Sequence, residues 1–170
     1  DLVVGALPPD DPVAARPALE QVAGWLQRAG IPCAVSDNVE GELWAKLLIN
    51  CAYNAISALG RARYRRIGAS PAALGVMQEA VREVIAVAQA AGVRLPEGDL
   101  VEQARRISTS MAGATSSTAQ DIARGKRTEI DHLNGYVVRR GEALGVATPV
   151  NRTLHALVRL LEEAEGDEAR

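Results

Sequence analysis

The spacing of hydrophobic residues changes near residue 36 and divides the chain into two parts. Before that point, two short apolar runs, "LVV" at residues 2–4 and "IPCAVS" at 31–36, flank a segment at 11–30 whose apolar positions recur at helical spacing. The order strand, helix, strand is typical of an α/β sheet. One such unit cannot cover both faces of its own sheet, so we expect residues 1–36 to be the end of a larger α/β domain.

Beyond residue 36 the pattern is helical almost throughout. Breaks rich in Gly, Pro and Ser, such as "RRIGASP" and "GVATP", separate the helical segments. The predicted helices lie near residues 38–59, 71–91, 97–110, 117–124, 129–144 and 149–165. Ser117 with Gln120, and Thr128 with Asp131, have the spacing of capping boxes at two of the starts. The sequence therefore predicts a mainly α protein, in which an all-helical domain at 37–170 follows a short β-α-β segment.

One predicted helix includes residues 42–59, "ELWAKLLINCAYNAISAL", and is apolar on most faces but contains three polar residues four positions apart. Lys46, Asn50 and Asn54 advance by only about 40° per step and form one line about 12 Å long. We call this line the polar seam. A buried lysine or amide needs a hydrogen-bonding partner, so the polar seam should face either a polar cleft or a network between helices. Spacing alone leaves both interpretations open and favours the network.

A second polar region, residues 114–135, has an equally simple structural explanation. Ser117, Thr128 and Asp131 fit the caps of two helices. Glu129 fits the first turn of a helix, where the helix dipole favours a carboxylate. Residue chemistry alone therefore assigns no function to this region.

Composition and charge exclude several classes of function. The chain has 48% hydrophobic and 24% charged residues, a net charge of −2 and a pI near 5.8, which give no general attraction to nucleic acid or to an anionic membrane surface. The basic run "RARYRR" at 61–66 is interpreted as a solvated loop after a helix and is assigned no site. Cys33 and Cys51 lack disulfide or metal-site spacing, and no apolar run reaches the roughly 18 residues of a membrane span. We expect a soluble cytoplasmic protein with no metal.

Together the two polar regions resemble a known family. The segment "LWAKLLINCAYNAISAL" contains W-x-K-x-x-x-N-x-x-x-N, and the segment "SSTAQDIARGKRTEIDHLNGYVVRRGEALGVATPVN" contains T-E-I-D-x-L-N-G and then G-x-x-x-P-x-N. This series is similar to the C-terminal half of ketopantoate reductases, the NADPH-dependent 2-dehydropantoate 2-reductases of pantothenate synthesis. The resemblance covers essentially the whole chain, and several motifs in the right order are more specific than any one of them.

The resemblance implies a fold and a role for each site residue. It implies a helical domain of the 6-phosphogluconate dehydrogenase C-terminal type after the end of a Rossmann-type NADP-binding domain. Lys46 would be the general acid that protonates the substrate oxygen, and Asn50, Asn54 and Ser117 would bind the 2-oxo acid. Glu129 would be the active-site glutamate, able to tune the lysine and to contact substrate or cofactor. An ammonium beside a developing alkoxide suits this chemistry.

Two departures from the family pattern leave alternatives open. Ala114 and Thr118 stand where the family commonly has a polar residue and a methionine, so a related branched 2-oxo acid is an alternative substrate. A non-catalytic helical module for dimerisation or binding is a second alternative. The 170 residues contain no G-x-G-x-x-G, the phosphate-binding turn of a Rossmann domain, so we expect weak NADPH binding and no turnover by this chain alone. A missing nucleotide-binding segment and a second copy in a homodimer would then be its partners.

Overall fold

The structure is a computed structural model that describes residues 2–7 and 10–168. It divides into two compact units, Asp1–Trp44 and Ala45–Arg170, with the boundary inside one long helix. The elements in chain order are β1 (Leu2–Val4), α1 (Pro12–Arg28), β2 (Cys33–Val35), α2 (Val39–Leu59), α3 (Tyr64–Ala69), α4 (Pro71–Ala90), α5 (Leu100–Ser110), α6 (Ser117–Ala123), a 3₁₀ turn (Ile130–His132), α7 (Asn134–Leu144) and α8 (Pro149–Glu168). The predicted mainly α class is confirmed.

The first unit contains the predicted strand, helix and strand. β1 and β2 pair in parallel, with Leu2 opposite Cys33 and Val4 opposite Val35. α1 begins where the Asp11 carboxylate accepts a hydrogen bond from a backbone N–H in the first turn. The helix is held to the sheet by a side-chain amide, since Gln27 Nε2 donates to the Cys33 carbonyl at 2.7 Å.

The core of the second unit is built from small and branched aliphatic side chains, because the sequence contains no Phe. α2 contributes Cys51, Ala52 and Ala55, all fully buried, and its small residues allow neighbouring helices to approach closely. One cluster of buried residues joins four elements and consists of Ala55, Ala80, Ile130, Leu154 and Val158. Tyr53, the largest fully buried side chain among the described residues, donates its hydroxyl to the Ala104 carbonyl of α5 at 2.8 Å.

The predicted solvated loop at 61–66 is wrong in part, because Tyr64 begins the short helix α3. Tyr64 and Ile67 are buried, and the Tyr64 ring centroid lies 4.5 Å from that of Tyr53. Gly68 is needed for close packing on α5, since a Cβ there would overlap the Ser108 side chain. Six residues are too few to show a helical period, so tertiary packing, rather than sequence pattern, determines this helix.

The helix predicted over 129–144 is interrupted. A 3₁₀ turn covers Ile130–His132, and α7 begins only at Asn134 after Leu133, whose φ and ψ are −102° and −103°. Thr128 Oγ1 accepts a hydrogen bond from the Ile130 N–H at 3.2 Å, two residues later. The predicted capping box of Thr128 with Asp131 is therefore wrong, since Thr128 closes a local turn instead.

Candidate functional site

The polar seam runs from solvent towards the core of the second unit. Lys46 is exposed, Asn50 is half-buried and Asn54 is only 4% exposed. The neighbouring positions Leu48 and Cys51 are buried, as the apolar stripe of α2 predicts. The exposure of the polar seam therefore falls along its length, so we call the seam graded. Lys46 lies at its solvent-exposed, wet end, and the Asn54 amide lies at its buried, dry end.

The start of α6 contacts α2 at the dry end of the polar seam. Ser116 Oγ donates to the Asn54 carbonyl at 3.1 Å, and the Ser116 N–H donates to Ser57 Oγ at 3.3 Å. The same Ser116 hydroxyl accepts from the Ala119 N–H at 3.0 Å, which makes Ser116 the N-cap. The predicted cap, Ser117, is therefore wrong by one residue, and Ser117 is instead exposed as the first residue of the helix.

Glu129 is brought to the same stretch of α2 by its neighbour in the chain. Ile130 is fully buried and lies in the hydrophobic cluster that includes Ala55. Glu129 itself is exposed, and its backbone carbonyl accepts from the His132 N–H at 2.8 Å. Within residues 2–7 and 10–168, no ion pair joins Glu129 to Lys46. Tuning of the lysine by this carboxylate therefore stays a prediction.

A buried polar network supports α2 from behind, and its members had no role assigned from the sequence. Asn134 Nδ2 donates to Asn151 Oδ1 at 2.9 Å and to the Cys51 carbonyl of α2 at 3.4 Å. Asn151 Nδ2 in turn donates to Glu83 Oε2 at 2.7 Å and to the Ala80 carbonyl at 3.1 Å. Both asparagines are fully buried, and the network joins α2, α4, α7 and α8 through hydrogen bonds that are buried or partly buried.

Glu83 also caps α8. Its carboxylate accepts from the Val150 N–H at 2.8 Å and the Asn151 N–H at 2.9 Å, two donors that the helix itself leaves unpaired. Asn134 and Asn151 lie in the motifs that carry the family resemblance, which was the available signal for them. Glu83 lies in an ordinary amphipathic helix, and its sequence context gives no signal.

Asp131 forms a second polar cluster near α8. Its Oδ1 lies 2.7 Å from His155 Nε2, and its Oδ2 lies 3.1 Å from Arg127 and 3.6 Å from Arg159. The hydrogen bond from His155, followed by that from Arg127, lowers the pKa of the Asp131 carboxyl. Asp131 therefore ties the 3₁₀ turn to α8 electrostatically, in place of the predicted capping role.

Cys51 offers no reactive thiolate. Cys51 is fully buried, and burial raises the pKa of its thiol far above the usual range, so the neutral thiol packs as a small apolar group. The described part of the chain contains no group of three His, Cys, Asp or Glu side chains placed to hold a metal ion. Its helices also include none that is both long and apolar enough to cross a membrane.

The fold is shared with oxidoreductases. It superposes on D-mandelate dehydrogenase, solved with NADH, with a TM-score of 0.84 over 95% of this chain and 55% of that one; the 24% identity makes this a likeness of fold alone. The sequence profile described as "Ketopantoate reductase PanE/ApbA C terminal" matches residues 38–162. The chain belongs to the ketopantoate reductase PanE/ApbA family, as the motifs predicted.

Individual relatives agree with this assignment. A 2-dehydropantoate 2-reductase of Pyrobaculum aerophilum is 43% identical over 145 residues, which are 85% of this chain and 52% of the relative. That of Halobacterium salinarum is 37% identical over 83% of this chain and 46% of its own length. The crystal structure of a PanE/ApbA family ketopantoate reductase from Ralstonia eutropha JMP134 has 52% identity and a TM-score of 0.83, over 86% of this chain and 49% of that one. The chain thus spans about half the length of the curated relatives it matches.

Proposed function

We propose that the chain is the helical, substrate-binding half of an NADPH-dependent 2-dehydropantoate 2-reductase, with Lys46 as the general acid. The observation that carries the proposal is the graded polar seam, a lysine and two asparagines on one line of an otherwise buried helix, in a chain of this family. The choice of reaction is supported by the relatives, which are 2-dehydropantoate 2-reductases. We also propose that residues 1–36 are the end of the nucleotide-binding domain and 37–170 the substrate-binding domain.

The chemistry of the reaction explains why an exposed lysine belongs at the wet end. Reduction of a 2-oxo acid adds a hydride, supplied by the nicotinamide cofactor, to the carbonyl carbon and leaves negative charge on the oxygen. The ammonium of Lys46 stabilises that charge and gives the oxygen its proton. Asn50 follows one helical turn, about 6 Å, along α2, so a small 2-oxo acid can contact both side chains. The Asn50 amide has both donors and acceptors for the substrate's carboxylate and hydroxyl groups.

Asn54, Ser117 and Glu129 complete the proposed site. The Ser116 contact with α2 brings the exposed Ser117 beside the dry end of the polar seam, which suits a hydroxyl that binds substrate. Glu129 is exposed next to a residue packed on Ala55, which suits a carboxylate that contacts substrate or cofactor. The described residues form no glycine-rich phosphate cradle, so no residue besides Glu129 is proposed to contact NADPH.

The two departures from the family pattern differ in what they imply about substrate contact. Thr118 is 1% exposed and packs inside the domain, so its difference from methionine changes packing rather than substrate contact. Ala114 is half-buried, and its carbonyl accepts from the Tyr64 N–H at 3.0 Å. The loss of a polar side chain at Ala114 is the observation that favours a related branched 2-oxo acid as the second candidate substrate.

The proposal can be tested on this chain without the cofactor, because the sequence contains only two lysines, Lys46 and Lys126. Reductive methylation with ¹³C-formaldehyde labels both lysine amines, as well as the terminal α-amine, and keeps their charge, and each gives its own NMR signal. Titration with pantoate, the product, should move the Lys46 signal to saturation and leave Lys126 unchanged. Equal movement of both signals, or movement of Lys126 alone, would count against the proposed site. Repeating the titration with other branched 2-hydroxy acids ranks the candidate substrates.

A further inference from the structure

A cavity lies between the C-terminal end of α2 and α6. Its volume is about 490 Å³, within the range of roughly 300–1,000 Å³ that is usual for small-molecule sites. The residues that line it include Ser57, Arg61, Ala119, Gln120, Ile122 and Ala123. We call it the α2–α6 cavity. Apolar side chains of α6 form much of its wall, and a hydroxyl and an amide supply hydrogen-bonding groups.

Arg61 is the charged residue among those described that line the α2–α6 cavity, and the lining includes no acidic side chain. In the part of the chain that the structure describes, Arg61 has no ion pair. Gly125 at the rim is flanked in sequence by Arg124 and Lys126, both exposed, which add to the positive potential there. A guanidinium without a carboxylate is a ready partner for an anionic ligand, which it can bind through two parallel hydrogen bonds.

The backbone at Arg61 shows that the turn does not require an arginine. The Arg61 N–H donates to the Ala58 carbonyl at 3.3 Å and the Ala62 N–H donates to the Ser57 carbonyl at 3.1 Å, the two bonds of a Schellman motif that ends α2. Arg61 has φ of +46°, at the left-handed position that glycine usually occupies. The helix end therefore gives no reason for an arginine at this position.

No residue proposed for the reductase site lines the α2–α6 cavity, and Lys46 and Asn50 lie well away from it, whereas Asn54 and Ser117 are close neighbours of its lining. Lys46 and Ala58 lie about 18 Å apart along the axis of α2, farther than a small 2-oxo acid can span. Ser116 is buried and hydrogen-bonds both to Asn54 of the polar seam and to Ser57 of the cavity lining. A ligand of the cavity therefore does not touch Lys46 or Asn50.

We propose that the α2–α6 cavity binds a small aliphatic monocarboxylate, with its carboxylate on Arg61 and its hydrocarbon part against Ala119, Ile122 and Ala123. Arg61 supplies the guanidinium of the lining for a carboxylate, whereas inorganic phosphate has no hydrocarbon part to place against the apolar side chains. The aliphatic part removes the apolar wall of the cavity from water. This site does not depend on the reductase proposal, because none of its residues belongs to the polar seam.

The test is titration of the chain with sodium hexanoate, followed by amide chemical shifts in ¹H–¹⁵N NMR. Hexanoate should shift the amides around Ala119–Gly125 to saturation in the millimolar range. Hexanol should bind at least about tenfold more weakly, as expected for loss of a charged hydrogen-bonded pair. Inorganic phosphate, which has no hydrocarbon part for the apolar wall, should also bind more weakly. Arg61→Gly keeps the turn and should weaken hexanoate binding by a similar factor.

Two controls keep this test separate from that of the reductase site. Arg65→Gln, an exposed arginine of α3 outside the cavity, and Lys46→Ala should both leave the hexanoate affinity unchanged. Undiminished hexanoate binding by Arg61→Gly, or phosphate or hexanol binding as tight as that of hexanoate, would overturn the proposal. Weakening by Lys46→Ala would place the ligand at the polar seam and overturn it as well.

Discussion

Glu83 provides the sharpest test of the network that supports α2. Its carboxylate accepts three hydrogen bonds, from the backbone N–H groups of Val150 and Asn151 and from the Asn151 side chain, at 2.7–2.9 Å. Glu83→Ala removes all three acceptors. A hydrogen bond to a charged group contributes about 1.5–3 kcal/mol, and loss of a helix cap costs about 0.5–2 kcal/mol. One carboxylate accepts all three hydrogen bonds, and in the variant the Asn151 amide still donates to the Ala80 carbonyl. We therefore expect the free energy of unfolding to fall by about 3 kcal/mol in total.

Glu83→Gln separates charge from hydrogen bonding. The amide keeps one acceptor oxygen but loses the charge that favours the N-terminus of α8, so we expect a loss of about 1 kcal/mol. Urea unfolding followed by circular dichroism at pH 7 gives each free energy of unfolding from the midpoint and slope. Glu79→Ala is the matched control on α4, since Glu79 is exposed and its partner among the described residues is Arg82, and it should change stability by less than about 0.5 kcal/mol. A Glu83→Ala variant no less stable than Glu79→Ala would show that the network does not support the fold as described.

Three further predictions concern backbone geometry and charge. Arg61→Gly should raise the free energy of unfolding by about 0.5–1 kcal/mol, because the left-handed conformation costs a non-glycine residue about 1–2 kcal/mol and glycine returns part of that as unfolded-state entropy. Gly141→Ala should lower it by about 2 kcal/mol or more, since a Cβ there would lie 2.7 Å from the Val146 carbonyl oxygen in a packed core. Asp131 has a lowered pKa, mainly through His155, so its contribution to stability is present above the ordinary pKa of about 3.9 and is lost as pH falls through the folded-state pKa. The stability difference between wild type and Asp131→Asn should therefore be largest above about pH 5 and shrink in acid.

The controls for these three predictions use the same unfolding assay. Gly75→Ala, on a face of α4 where a Cβ would meet nothing within 4 Å, should stabilise the chain by about 0.5–1 kcal/mol. Destabilisation by Arg61→Gly would mean that the guanidinium stabilises the folded chain. That result would contradict the interpretation that the left-handed conformation of Arg61 costs stability. A stability difference for Asp131→Asn that does not change with pH would show that the His155 contact is not electrostatic.

Helices long enough to show a full hydrophobic period could be predicted from the sequence, and so could the alignment of the polar seam along α2. Lys46, Asn50 and Asn54 lie on one line because helix geometry fixes them there once α2 forms. Their gradient of burial could not be predicted, since it depends on which helices pack on each turn of α2. The position of the α6 cap was missed because two adjacent serines have the same capping chemistry, and only tertiary contact of Ser116 with α2 distinguishes them.

Contacts between residues far apart in the chain account for most of what the sequence did not reveal. Glu83 meets Asn151 across 68 positions, and a glutamate on an amphipathic helix is ordinarily a solvated residue. The short helix α3 depends on the packing of Tyr64 on Tyr53, which no local pattern encodes. Arg61 looked like one more residue of a solvated basic run, and only its conformation and the adjoining cavity set it apart.

The central claim is that Lys46 donates the proton in the reduction of a 2-oxo acid. The direct measurement is kcat for NADPH oxidation with 2-dehydropantoate by a protein in which this chain follows the nucleotide-binding half of the Ralstonia eutropha relative. Lys46→Ala should lower kcat by roughly 10²–10⁴-fold, the usual contribution of a general acid, while Lys126→Ala leaves it unchanged. If the unsubstituted protein is active and Lys46→Ala retains its full kcat, Lys46 is not the general acid.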